Sequence, residues 1–243
     1  MATEIKVTIT DEKGGEFDAI PDALFRSQDS TRDEFDGTIW GYGKTGRPTA
    51  LLTLVLQANV GGTHKWLYEL NSLTSRPVEA RIPGFLKPWS TRKSGLDMKD
   101  IPQAPAAAEN EAGRTRQLRE LSSRFSGYEM LLKSTNGPAE RFELRLIPRP
   151  IHRYSDPETG LIDGAIFLMA HSTNPEIIMV IELVRDGDKS IWKSGFARCA
   201  FAEVHVELDG KDVWTQPHLR VTSESDPYSM FVRLARDGEI QRK

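Results

Sequence analysis

Apolar and polar residues alternate along much of this chain with the two-residue period of half-buried β-strands. Two stretches show the pattern most fully. In 36–56, DGTIWGYGKTGRPTALLTLVL, two apolar runs flank a Thr-Gly-Arg-Pro turn and predict strands at 37–44 and 49–57. In 163–183, DGAIFLMAHSTNPEIIMVIEL, the arrangement recurs, with strands at 164–171 and 176–184 around a turn at 172–175. Asp36 and Gly37 answer Asp163 and Gly164, Ile39 answers Ile166, Trp40 answers Phe167, Pro48 answers Pro175 and Leu56 answers Leu183, all at one offset. Hairpins resemble one another through turn chemistry alone, but the tryptophans carry the match further. Trp66 and Trp192 follow the second strand at the same point to within one residue, Trp89 and Trp214 close both stretches, and Val78/Val204 and Gly84/Gly210 align between them. Self-similarity at a fixed offset marks a repeated structural unit, and we read it as an internal duplication.

The repeat separates inside from outside. Ala50, Leu52, Leu54 and Leu56 answer Ile177, Met179, Ile181 and Leu183; apolar in both copies, they are expected on the core face. The alternate set, Leu51, Thr53, Val55 and Gln57 against Ile178, Val180, Glu182 and Val184, is mixed, which predicts a partly covered face. Shorter alternating runs predict further strands at 5–10, 65–70, 77–82, 141–148, 192–200, 203–208, 211–214, 219–223 and 229–234. One stretch has a different period: Leu118, Leu121, Phe125, Tyr128 and Leu131/Leu132 recur in steps of three and four, predicting an amphipathic helix over about 111–133, ended by Asn136-Gly137-Pro138. Residues 27–36 and 149–158 read as polar loops, and 90–110 as a Pro- and Ala-rich linker.

The expected fold is therefore mainly β (α+β): two duplicated antiparallel β-meanders forming a sandwich or partly closed barrel, with one helix. Its expected segments are an N-terminal strand and loop (1–35), a first repeat (36–89), linker and helix (90–140), strand, loop and second repeat (141–216), and C-terminal strands and tail (217–243), in one compact domain.

Composition changes this picture little. The 243 residues suffice for a real core, and 28% charged residues with a net charge of −3 argue against a basic nucleic-acid-binding face. A single cysteine, Cys199, excludes an intrachain disulfide framework. No apolar run approaches the ~20 residues of a membrane span. The sequence as written carries no leader, so a cytoplasmic location is expected, with an exported protein supplied without its leader as the alternative.

The order ELRLIPRPIHRY (143–154), LIDGAIF (161–167), NPEIIMVIEL (174–183), then a Trp and DVW (212–214), resembles a family of uncharacterised bacterial proteins. The GRP of 46–48 and the stretch 114–125 are similar too. The resemblance covers most of 36–216 and implies no activity and no site residues.

Candidate chemistry concentrates in 149–158, where His152, Arg153, Asp156 and Glu158 could support acid–base work; the competing reading is a surface loop. His152, His171 and His205 with Glu203 or Glu207 lack metal-ligand spacing, so no metal is expected. Cys199 lies in an apolar run and reads as a small hydrophobe. The chain has no Gly-rich phosphate loop, nucleophile elbow or dinucleotide fingerprint, so no cofactor is expected. The tryptophans read as core rather than as sugar or peptide platforms, and Arg114, Arg116, Arg119 and Arg124 as a solvated helix face. The expected function is a non-catalytic binding or structural module engaging an unknown protein or small ligand. The alternative is a hydrolase-like enzyme using His152, Arg153, Asp156 and Glu158.

Overall fold

The computed structural model describes residues 1–29, 34–43, 45–58, 63–132, 138–236 and 239. Among these, eighteen strands and one α-helix follow in chain order. They are β1 (Val7–Ile9), β2 (Glu16–Phe17), β3 (Phe25–Asp29), β4 (Glu34–Tyr42), β5 (Ala50–Ala58), β6 (His64–Ser72), β7 (Val78–Ala80), β8 (Trp89–Thr91), β9 (Lys99–Asp100), α1 (Glu111–Ser122), β10 (Phe125–Leu132), β11 (Ala139–Leu146), β12 (His152–Asp156), β13 (Leu161–His171), β14 (Asn174–Asp186), β15 (Lys189–Arg198), β16 (Glu203–Leu208), β17 (Lys211–Gln216) and β18 (Tyr228–Leu234). The fold is mainly β, its sheets antiparallel and one of them curled into a half-barrel, as the alternation predicts.

The chain divides into two compact units. Unit 1 (Met1–Lys44, Pro48–Ser94, Thr222–Lys243) contains a five-stranded sheet, β18-β6-β5-β4-β3, and a four-stranded sheet, β2-β1-β7-β8. Unit 2 (Thr45–Arg47, Gly95–Val221) contains one nine-stranded sheet, β17-β16-β10-β11-β13-β14-β15-β9, with β12 paired to β13.

The same pairings occur in both units. Asp36 faces Leu56 and Tyr42 faces Ala50 across β4/β5; Asp163 faces Leu183 and Met169 faces Ile177 across β13/β14. Both hairpins break register one step before the aspartate, at Glu34/Asp36 and at Leu161/Asp163. Ser27 opposite Gly37 matches Tyr154 opposite Gly164, and Leu56 opposite Trp66 matches Leu183 opposite Trp192. In the other strands, Ala80/Trp89 matches Val206/Trp214, Val7/Ala80 matches Gly127/Val206, and Val7/Phe17 matches Gly127/Leu144. Even the isolated bridge Ala19/Tyr42 has its equivalent in Leu146/Met169.

Each unit has its own core. Ala50, Leu52 and Leu54 join Ile5, Val7, Tyr68, Leu70 and Trp89 in one; Ile177, Met179, Ile181 and Leu183 join Phe167, Trp192, Phe196 and Val206 in the other. The opposite strand faces are covered more fully than their mixed composition predicts, with Leu51, Val55, Ile178 and Val180 all buried.

Three readings are corrected. The predicted helix stops at Ser122, and Phe125–Leu132 is β10, bonded on both sides by β11 and β16. Phe125, Gly127, Tyr128 and Glu129 are all buried there, so the backbone pairing on both sides, and not a period of two, makes this run a strand. Gly127 fits its place in β10. It is a poor helix former, and a Cβ on it would lie 2.6 Å from Met169 Sδ. Of the expected terminator, Asn136 and Gly137 lie outside the described residues. Second, the polar loop at 149–158 contains β12, an edge strand held by β13. Its unit-1 equivalent β3 likewise runs into the polar stretch 27–36, because an edge strand needs backbone pairing more than an apolar face. Third, 219–223 is not a strand: Leu219 N–H donates to Phe201 O.

Candidate functional site

The polar residues of β12 are sorted by strand alternation. His152 and Tyr154 share one face, their rings stacked at 5.7 Å between centroids, while Arg153 points to the other, where the start of α1 lies. Helix α1 begins there because Asn110 accepts a hydrogen bond from Gly113 N–H, an N-cap worth about 1 kcal/mol. Glu111 in the first turn complements the helix dipole.

Arg153 is the centre of the arrangement. Its Nε and Nη2 donate to the two carboxylate oxygens of Asp163 at 2.9 and 2.6 Å, a bidentate pair. Its Nη1 donates to Glu111 Oε1 at 3.0 Å and Thr115 Oγ1 at 2.6 Å, and Nη2 also reaches the Glu111 carbonyl at 3.5 Å. Arg114 adds a second guanidinium, Nε donating to Asp163 Oδ2 at 3.0 Å and Nη1 to the carbonyls of Ala108 and Glu109. The Asp163 side chain is 5% exposed, so two cations and a helix turn enclose one buried carboxylate. The bond to Asp163, above all, holds the Arg153 guanidinium even further from deprotonation than usual. Beside the cluster lies a shallow hollow of about 340 Å3, bordered by Glu111, Arg114, Arg153 and Ser155.

On the other face, Tyr154 donates to Glu182 Oε1 at 2.8 Å, and Arg47 Nε lies 3.6 Å from the same oxygen. Burial, and then the Glu182 charge, push the Tyr154 phenol well above its ordinary range. Burial lowers the pKa of His152. The glycine opposite Tyr154 is required: a Cβ on Gly164 would come within 2.5 Å of the Tyr154 ring, as one on Gly37 would meet Ser27 Oγ at 2.3 Å. That is a physical reason for Asp-Gly in both hairpins.

The four candidates are thus not gathered in one cleft. Arg153 belongs to the helix-facing cluster, His152 stacks on the opposite face, Asp156 approaches Gly46, and Glu158 sits exposed on a short 3-10 turn. The other histidines are elsewhere. His171 bonds the fully buried Glu129 and stacks on Phe142; His205 stacks on Tyr128 at 4.3 Å, between Glu203 and Thr215. Among the described residues, no three His, Cys, Asp or Glu side chains assemble as metal ligands would. Cys199 is buried. Trp89 and Trp192 are core, with Trp66 and Trp214 packed against the cores and partly exposed. Of the basic streak, Arg114 and Arg124 turn inward, Arg124 to Asp209 and the Pro102 carbonyl; Arg116 and Arg119 are exposed.

Asp163, Arg114, Glu111 and Thr115 are functional-looking partners that motif reasoning passes over. A signal for one of them existed: Asp163 answers Asp36 at the same offset at which Arg153 answers Arg26.

The fold and this cluster define a two-unit antiparallel β-protein with a helix stapled to its second unit. Compared with family models, curated proteins and solved structures, the chain matches none of them. No helix among the described residues is long and apolar enough to cross a membrane.

Proposed function

We propose that this chain is a non-catalytic binding or structural module whose two units descend from one by internal duplication. One observation carries the first part: the guanidinium at the heart of the polar constellation is fully engaged within the protein. All three Arg153 nitrogens bond Asp163 or the first turn of α1, leaving the group a fastener rather than an oxyanion or substrate binder. His152, the general base of the enzyme reading, stacks on Tyr154 on the opposite strand face from Arg153. Support for duplication comes from the shared registers, down to the two register breaks beside the aspartates.

The test is turnover of chromogenic ester, phosphate, glycoside and peptide substrates by the full chain. The expected result is none above buffer. Turnover lost in His152→Ala would instead establish the hydrolase reading.

A further inference from the structure

The eighteen strands among the described residues fall into two sets of nine in chain order, β1–β9 and β10–β18, with α1 in the connection between them. The pairings given above match β1 to β8 with β10 to β17, one for one. The ninth strands match as well. On β6, Val232 of β18 stands opposite Leu67 and Phe231 opposite Tyr68. On β15, Asp100 of β9 stands opposite Lys193 and Lys99 opposite Ser194. Lys193 and Ser194 answer Leu67 and Tyr68 at the offset that relates Trp192 to Trp66. Yet each ninth strand lies in the unit of the other copy. β9, which follows β8, ends the sheet of unit 2, and β18, which follows β17, ends a sheet of unit 1. The copies have exchanged one strand each, as the protomers of a domain-swapped dimer do.

The two acceptor edges read different strands. On β6, Phe231 packs edge-on against Phe85 with ring centroids 5.2 Å apart, and Phe85 packs in turn on Tyr68. Arg233 Nε donates to the Tyr68 hydroxyl at 3.0 Å, and Tyr228 and Ser229 are buried. On β15, Lys193 Nζ donates to Asp100 Oδ1 at 2.5 Å, Ile101 N–H donates to the Trp192 carbonyl, and the Ile101 side chain enters the core beside Leu118 and Phe196. Gly195 makes room for the donated segment: a Cβ there would lie 2.5 Å from Met98 Sδ. Transposed, Asp100 would face Leu67 and Val232 would face Lys193. Mismatches of this kind exclude wrong partners.

We propose that the outer edges of β6 and β15 are strand-acceptor sites, each specific for the ninth strand of the opposite copy, so that each copy binds the other by donating an edge strand. The partner at each site is the opposite copy, whether of the same chain or of a second copy of this chain, and α1 belongs to the tether that fuses the two. The proposal rests on the duplication reading and gives the module's binding surfaces their occupant.

The test inserts a protease site between the exposed residues Pro105 and Ala106 of the full chain. Cutting yields 1–105, with β1–β9, and 106–243, with α1 and β10–β18. The pieces should keep the β-type circular dichroism of the uncut chain and stay paired one to one. Cut Leu67→Cys chains are then mixed in denaturant with cut Val232→Cys chains and refolded before oxidation, when Cys199 is buried. A disulfide should join 1–105 of one molecule to 106–243 of another, because Leu67 and Val232 are direct partners across β6 and β18. Phe231→Ala should raise the concentration at which the pieces separate about tenfold or less stringently severalfold, read by dilution. Pieces that separate or lose their β signal on cutting overturn the proposal, as does absence of the mixed disulfide. So do pairs that Phe231→Ala leaves unmoved, or like-with-like pairs as abundant as mixed ones. None of these outcomes touches substrate turnover or the matched registers, so the reading as a duplicated binding module stands or falls separately.

Discussion

At the scale of single residues, the two units act as each other's control. Position 152 is His in unit 2 and its equivalent is Phe25 in unit 1, opposite Ile166 and Ile39 respectively. The site thus suits a flat ring, and the imidazole adds a titration that burial disfavours: its pKa is lowered from 6.5. A lowered folded-state pKa in a base means that the unfolded chain binds the proton first. The neutral His152 contribution is therefore complete above pH 6.5 and declines as pH falls through that value towards the folded-state pKa. His152→Phe should fold with near-unchanged Tm at pH 7.5 and lose less Tm than the parent between pH 7 and pH 5. An identical acid dependence in both proteins would remove His152 from the account. Asp163→Asn poses the opposite case. It leaves Arg114 and Arg153 facing each other without their shared anion. Loss of one partner of a largely buried pair costs about 3 kcal/mol or more, here reduced by the partial exposure of Arg153 to about 2 kcal/mol. Denaturant unfolding reads it directly, and a change below ~0.5 kcal/mol would show that the cluster contributes no stability.

At the scale of elements, the sequence is most legible where a strand buries a face. The hairpins at 36–56 and 163–183, and the strand Glu203–Leu208, lie where alternation places them. It is least legible where pairing substitutes for burial. His152–Asp156 and Phe25–Asp29 are held at sheet edges by backbone bonds that leave no hydrophobic period. The stretch 118–132 misleads for a different reason: its apolar spacing fits a helix throughout, and only the flanking strands β11 and β16 make 125–132 a strand. Gly127→Ala separates the alternatives by sign. In a helix the added methyl would stabilise by roughly 0.5–1 kcal/mol. In β10 it meets Met169 Sδ at 2.6 Å and His205 O at 3.3 Å in a closed core, and overpacking costs about 1–3 kcal/mol. A melt of the variant should move down.

At the scale of the whole molecule, the pairing pattern was legible through matched tryptophans and Asp-Gly pairs, whereas the division into units was not. Unit 1 is assembled from both ends of the chain, and no local composition shift announces that 222–243 returns to pair β18 with β6. Unit 2, by contrast, is nearly contiguous, which makes its autonomy testable. Residues 95–221 contain α1, every strand of the nine-stranded sheet and all the buried residues of its core. Only Thr45–Arg47 comes from elsewhere in the chain. A fragment of 95–221 should therefore fold with a β-type circular dichroism spectrum and a cooperative melt. It should melt below the corresponding transition of the full chain, because Glu182, 7% exposed, loses the guanidinium of Arg47 and keeps only the Tyr154 hydroxyl. A buried carboxylate left short of a cation is costly, and Glu182→Gln removes the charge while still accepting from Tyr154. That substitution should raise the Tm of the fragment and lower that of the full chain, where it forfeits the Arg47 contact. The same sign in both proteins would show that Arg47 does not stabilise Glu182, and a fragment without a cooperative melt would show that unit 2 does not fold by itself.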